Sequence, residues 1–246
     1  MDPDYGIAYE DLYRRHWWWR ARERLIALVL ERFAPDSGWE GILDIGCGNG
    51  LTFDCLEQFG TCVHGIEADR RLVSEDGPHR HQIHVGPFDA TYEPPVVFSL
   101  VTMFDVLEHI EDPLSALERV RSLASPNANL FVTVPAFSSL WTSHDDLNHH
   151  HVRYTRGTLK KLMHAAAVKV LHMEYFFHWV APAKLVVRLK ERVAGVSSAS
   201  VPTVPPMMIN RLLYGLSRSE QMLPSSMKPP FGSSLLLMGQ FGTTDG

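Results

Sequence analysis

A chain of 246 residues with 45% hydrophobic and 21% charged side chains holds enough apolar material for one large core, which excludes wholesale disorder. Three cysteines (Cys47, Cys55, Cys62) cannot all pair and form no CxxC, which excludes a disulfide framework or a zinc ribbon. The net charge of −5 argues against nucleic acid as a partner. The opening MDPDYG lacks the basic-then-apolar layout of a signal peptide, and no apolar run is long enough for a membrane span, so the expected location is cytoplasmic.

Residues 8–34 read as one long helix, because Leu12, Trp19, Leu25, Leu28, Val29 and Phe33 recur near helical spacing. The run GILDIG at 41–46 is a short buried strand ending in glycine, and a helix follows over about 51–58. TCVHGIE at 61–67 reads as a second strand and 81–85 as a weak third. VVFSLVTM at 96–103 has no polar alternation, as expected of a strand buried on both faces. Asp112-Pro113 opens a helix reaching about Leu123, and LFVTV at 130–134 is another buried strand. Strands alternating with helices predict an open, doubly wound α/β domain with a mainly parallel sheet.

Composition shifts over 179–230, which holds seven of the sixteen prolines, seven Lys/Arg and two acids, Glu191 and Glu220. That segment is +5, so the remaining chain is −10. Leu185, Val186, Leu189 and Val193 form one amphipathic stretch, and Ile209, Leu212, Leu213 and Leu216 another. A Ser/Pro-rich link over 197–206 separates them, and the sheet signal returns in SSLLLMGQF at 233–241. The segment reads as a helical insertion before the last strand; a lid or a peripheral membrane contact are the alternatives. One domain then divides into a helical cap (1–40), a core (41–178), the basic insertion (179–230) and the last strand with its tail (231–246).

The stretch Asp44-Ile45-Gly46-Cys47-Gly48-Asn49-Gly50 lies directly between a strand and a helix. Its glycines permit a sharp turn and close approach of a ligand to the main chain. A dinucleotide loop prefers GxGxxG around a pyrophosphate, whereas an acid at the mouth of a GxGxG loop suits a cationic ligand. S-adenosylmethionine, with its sulfonium and ammonium groups, is such a ligand. Glu67 stands 21 residues beyond Gly46 at the next strand tip, where a carboxylate can accept both hydroxyls of a ribose. Ala68 follows it, and Phe88 and Asp89 come after the third strand, where an adenine edge would lie.

These residues carry a resemblance. ILDIGCGNG at 42–50, HGIEAD at 64–69, MFDVLEHIEDP at 103–113 and NLFVTVPAF at 129–137 resemble, in register, the class I S-adenosylmethionine-dependent methyltransferases. HWWWRARERLI at 16–26 and HHHVRYTRGTLKKLM at 149–163 resemble members found among natural-product or cell-surface polysaccharide genes. The resemblance implies a Rossmann-like, seven-stranded sheet with an antiparallel last strand, S-adenosylmethionine as cofactor, and cofactor contacts at Asp44, Gly46, Cys47, Gly48, Glu67, Ala68, Phe88, Asp89 and Phe104. Its acceptor would be a small or carrier-bound molecule, with O-methylation preferred to N- or C-methylation. Arg22 is the candidate for the methionine carboxylate. Of Trp17, Trp18 and Trp19, one or two should pack on the core or cover the cofactor, since neighbours on a helix point about 100° apart.

Asp105, Glu108 and His109 follow the fourth strand, at the edge where α/β sheets bind ligands. His109 reads as a general base, with Asp105 and His150 as catalytic neighbours, or as a residue that merely packs beside the cofactor. Asp105, Glu108 and His109 also resemble the acid-x-x-Glu-His metal set of certain RNA and quinone-precursor O-methyltransferases, with His150 as the later histidine. The preferred reading has no metal. The nearby carboxylates are expected to push the ionisation of His109 above 6.5. His144, Asp145, Asp146 and His149 to His151 form a polar loop that is either substrate-facing or solvated. A nicotinamide oxidoreductase and a non-catalytic cofactor-binding subunit are the rival readings; a monomer or homodimer is expected.

Overall fold

A computed structural model describes residues 3–89, 92–194 and 202–242, and arranges seven strands in one sheet of order β3-β2-β1-β4-β5-β7-β6. The strands are β1 (Ile42–Ile45), β2 (Val63–Glu67), β3 (Ile83–Val85), β4 (Phe98–Phe104), β5 (Ala124–Pro135), β6 (Val168–Phe176) and β7 (Ser234–Phe241). The pairs from β3 to β5 are parallel, whereas β7 runs antiparallel between β5 and β6. This is the expected Rossmann-like sheet with its antiparallel last strand. Among the described residues eight α-helices surround it: α1 (Pro3–Arg15), α2 (Trp17–Phe33), α3 (Phe53–Leu56), α4 (Pro113–Leu123), α5 (Ser143–Leu147), α6 (Arg156–Ala165), α7 (Val180–Ala194) and α8 (Met207–Gln221).

Alternation along the central strands divides the core into two faces. Leu43, Ile45, Val101, Met103, Leu130 and Val132 pack with Leu117 and Val120 of α4 and Leu159 and Met163 of α6. Ile42, Leu100, Phe131, Leu236 and Met238 pack with Leu25, Ile26, Val29 and Leu30 of α2. Because β1, β2 and β4 are parallel neighbours, their carboxyl ends meet at one edge and bring Asp44, Glu67 and Asp105 together there.

Three expectations are corrected. The helix expected over 8–34 breaks at His16, whose backbone is extended (φ −77°, ψ 135°) and whose Nδ1 accepts from Trp18 N, so the ring caps α2 instead of continuing α1. The helix expected over 51–58 shrinks to α3; Thr52 commits its hydroxyl to Asp44 and provides no side-chain cap. Strand β6 had no recognised signal, because its burial alternates only in part and its place is set by pairing with β7.

The insertion contributes α7 and α8. Asn210 ties α8 to the start of α2, accepting from Trp17 N and donating to Arg15 O, and Gln221 Nε2 donates to Ala21 O. Residues 197–201 of the expected link, the terminal residues 243–246 of the tail, and Met1 and Asp2 lie outside the described residues.

Gly65 of β2 lies against the loop after β1. A Cβ there would overlap Cys47 Sγ and stand 2.7 Å from Phe53 Cζ. Gly65→Ala should therefore cost about 1–3 kcal/mol by overpacking, read as a lower denaturant midpoint with an unchanged slope.

Candidate active site

A cavity of about 930 Å³ opens at the carboxyl edge of the sheet. Its floor is the loop after β1, where Gly46, Gly48 and Gly50 hold left-handed φ angles of 72°, 54° and 71°. A Cβ on Gly46 would meet Val106 Cγ2 at 2.6 Å, whereas one on Gly48 would meet nothing within 4 Å. Gly46 is thus required for packing, and Gly48 leaves the backbone open to a ligand. Cys47 lines the same wall and is buried.

Asp44 is buried beneath this loop and accepts from Thr52 Oγ1 at 2.5 Å and Thr102 Oγ1 at 2.6 Å. Burial outweighs these hydrogen bonds and pushes its carboxyl up to about 6. Glu67 is held at the tip of β2 by backbone donors, Gly48 N on Oε2 at 2.9 Å and Asp69 N on Oε1 at 2.8 Å. Each oxygen keeps a lone pair for a further donor, and burial raises this carboxyl as well. Ala68 and Phe88 also line the cavity. Asp89, expected beside the adenine, is not among the lining residues; Arg119 Nε binds its carbonyl at 3.1 Å.

At the end of β4, Asp105 adopts a left-handed φ of 57° and receives Arg22 Nη2 at 2.9 Å. Thr133 Oγ1 donates to Asp105 at 3.1 Å and accepts from Arg22 at 3.3 Å. The guanidinium stands over the rings of Trp18 and Phe104, 5.5 and 5.6 Å from their centroids. Among the described residues its buried Nε has no partner. Arg22 thus lines the cavity with its charge paired to Asp105, which serves as its counter-ion, and its Nε is buried behind the wall.

His109 and His150, 41 residues apart in the chain, meet edge to face with centroids 4.8 Å apart. Glu108 lies beside them, 1% exposed, and among the described residues neither of its oxygens has a hydrogen-bond partner. Burial and the nearby Asp105 raise its pKa far above the usual carboxylate range. One ligand atom each from Glu108, His109 and His150 lie within 4.8 Å of one another. An orphaned carboxylate with two imidazoles fits a divalent cation of the magnesium, manganese or zinc type. Asp105, the fourth member of the resembled set, is engaged by Arg22 instead.

Burial, then the neighbouring His150, lowers His109 to about 4. This reverses the expected upward shift: Asp105 does raise it, but the cost of burying an imidazolium is larger. His150 Nδ1 is hydrogen-bonded to Asp145 Oδ1 at 2.8 Å, and Arg153 Nε and Nη2 donate to the same fully buried carboxylate at 2.8 and 2.9 Å. Burial pushes Asp145 up, but these partners hold it well below the ordinary carboxylate range. Half of the 144–151 segment is thus built into the cavity wall, where His144, Asn148 and His150 line it and Asp145 anchors it, whereas Asp146, His149 and His151 are exposed.

Other wall residues had no separate signal. Tyr9 and Tyr13 of α1 join Trp18 and Trp19 as an aromatic wall, visible only once the break at His16 folds α1 back. Trp17 packs on Phe177 and Trp179. Lys184 of α7 lines the cavity, its ammonium lowered to about 8 by burial. Only the docking of α7 reveals it, since a lone lysine in an amphipathic stretch reads as surface.

The family model described as "Methyltransferase domain" matches residues 18–173. The ubiquinone biosynthesis O-methyltransferase of Pseudoalteromonas translucida is 32% identical over 140 residues, 51% of this chain and 59% of that protein. Its namesake from Caulobacter vibrioides is 26% identical over 170 residues, 65% of this chain and 58% of the relative. The chain thus spans about three-fifths of the length of these curated relatives. Among solved structures, the N-methyltransferase NodS of Bradyrhizobium japonicum in complex with S-adenosyl-L-homocysteine aligns with a TM-score of 0.54 at 13% identity, covering 92% of this chain and 88% of that one; this likeness concerns the fold.

Asp145→Ala should leave Arg153 as an unpaired buried charge and cost about 3–5 kcal/mol in denaturant unfolding. The carboxylate's folded-state pKa is depressed, so its contribution is complete above the unfolded value near 3.8 and shrinks as pH falls below it. The gap between wild type and variant should narrow in that acid range.

Proposed function

The chain belongs to the methyltransferase-domain family, of the class I S-adenosylmethionine-dependent type, and we propose that it carries the methyl group to a hydroxyl oxygen of a small or carrier-bound acceptor. One observation carries this reading: a single cavity joins the glycine loop and Glu67 at one end to the imidazole pair at the other. The sulfonium of S-adenosylmethionine supplies an already activated methyl group. The chain's own task is to orient, to exclude water and to take a proton.

In this reading Glu67 accepts the ribose hydroxyls, Gly46, Cys47 and Gly48 give the backbone approach, and Ala68 and Phe88 border the adenine. Asp44 faces the cationic half, Phe104 packs beside it, and the Arg22 guanidinium attracts the methionine carboxylate. His109 takes the hydroxyl proton as the oxygen–carbon bond forms and the carbon–sulfur pair returns to sulfur. Asp145 and His150 hold the adjoining wall. The names of the O-methyltransferase relatives support oxygen as the acceptor atom and a biosynthetic setting; a secondary-metabolite or polysaccharide intermediate is the acceptor class put forward. A cytoplasmic location belongs to the same proposal.

The orphaned oxygens of Glu108 favour a second reading, in which Glu108, His109 and His150 hold a divalent cation. The ion would lower the pKa of a hydroxyl bound to it.

Glu67→Ala should weaken S-adenosylhomocysteine binding by about 1.5–3 kcal/mol in calorimetry; unchanged affinity would remove Glu67 from the ribose site. With a panel of phenolic and sugar-hydroxyl acceptors, His109→Ala should slow methyl transfer about 10²–10⁴-fold, and wild-type activity should survive exhaustive EDTA treatment. Loss of activity on chelation, restored by magnesium or manganese, would establish the metal reading instead. The neutral imidazole prevails above about 4, so a base at His109 gives a rate that is level through neutrality and falls only as pH drops toward that value.

A further inference from the structure

Helix α8 carries its polarity the opposite way from an ordinary cover helix. Its inner side is mainly polar, with Tyr214 packed against the core: Asn210 binds Trp17 N and Arg15 O, Ser217 Oγ accepts from Trp179 Nε1 at 3.2 Å, and Gln221 binds Ala21 O. Its outer side bears Met208, Ile209, Leu212 and Leu216, which are 81%, 50%, 70% and 45% exposed. Residues 208, 212 and 216 repeat at one helical spacing, so these side chains form a continuous stripe. On α7, Leu185, Val186, Leu189 and Val193 form a second exposed stripe, while Val180 and Lys184 line the cavity. Isolated exposed apolar residues are ordinary, but two stripes on consecutive helices mark a contact surface.

The charges beside the stripes indicate what that surface meets. Both acids of the segment turn inward: Glu191 accepts from Ser143 N and Oγ, and Glu220 accepts from His178 N. Lys190 and Arg192 on α7, and Arg211 and Arg218 on α8, remain exposed next to the apolar residues. Of the segment's seven Lys/Arg, Lys184 lines the cavity, Arg188 donates to Ser138 O and Lys228 pairs with Glu174, which leaves these four beside the apolar residues. Exposed apolar stripes flanked by Lys and Arg are the chemistry of a helix lying in the interface of an anionic bilayer. Among the described residues no helix is long and apolar enough to cross a membrane, so the contact is with its surface.

We propose that α7 and α8 dock this protein on anionic phospholipid surfaces, with the two apolar stripes at the headgroup–acyl boundary and Lys190, Arg192, Arg211 and Arg218 against lipid phosphates. The docking is independent of the methyl-transfer reading. Flotation of the full chain with vesicles tests it. The chain should rise with vesicles of equal phosphatidylcholine and phosphatidylglycerol, far less with phosphatidylcholine alone, and less again in high salt. The pairs Leu189→Glu with Val193→Glu, and Met208→Glu with Leu212→Glu, should each lower vesicle partitioning roughly tenfold or more. Arg211→Glu with Arg218→Glu should remove the preference for anionic lipid. Unchanged affinity for S-adenosylhomocysteine in calorimetry, with unchanged circular dichroism, certifies that these variants are folded. A wild-type chain that stays in solution with both vesicles overturns the proposal, as do folded variants that float like wild type. A concentration-dependent dimer that does not float and that the same glutamates dissociate also overturns it, and assigns the stripes to a second copy.

Discussion

The buried ion pair between Arg22 and Asp105 is the constraint on which the rest of the site depends. A guanidinium that is almost wholly buried is tolerable only against a countercharge, so α2 is fixed over the end of β4 by electrostatics as well as by packing. Asp105 meets that demand from a left-handed backbone position, with its amide on Thr133 O and its carboxylate on Thr133 Oγ1. With α2 fixed, Trp18 and Trp19 fall on the cavity wall, the break at His16 turns α1 back across it, and α8 finds the α2 backbone to bind.

The cavity is electrically graded as a result. Carboxylates occupy the end near the glycine loop, and burial raises both Asp44 and Glu67, so a cation bound there relieves a cost already built into the fold. Imidazoles, Arg153 and Lys184 occupy the other end, where burial keeps His109 and His144 neutral. Glu108 lies at this second end, its oxygens without a hydrogen-bond partner among the described residues. Its oxygens are what set a metal-assisted chemistry against a simple base, since the imidazole pair alone would serve either.

The insertion serves two surfaces at once. Inward, α7 supplies Val180 and Lys184 to the cavity and α8 binds α2 through the side-chain amides of Asn210 and Gln221. Outward, both helices leave apolar residues in water. Attachment through polar hydrogen bonds frees the apolar side for an external partner, an arrangement that a helix packed by its apolar face does not permit.

The sequence by itself determined the local, strand-bound features. The first strand, its glycine loop and Glu67 follow from short-range chemistry: left-handed turns need glycine, and an acid at the next parallel strand tip must come to the same sheet edge. Helix α4 was equally legible, because Asp112 and Pro113 fix its first turn regardless of what packs on it. The break at His16 was not, since it depends on a ring accepting a backbone amide; nor was β6, which owes its place to β7. The resemblance anticipated that His150 would join His109, but only the tertiary structure decided that Asp105 would be taken by Arg22, that His109 would be pushed down rather than up, and that α8 would bury its polar side. Each of these is set by neighbours distant in the chain and by the depth of burial they create, and residue spacing encodes neither.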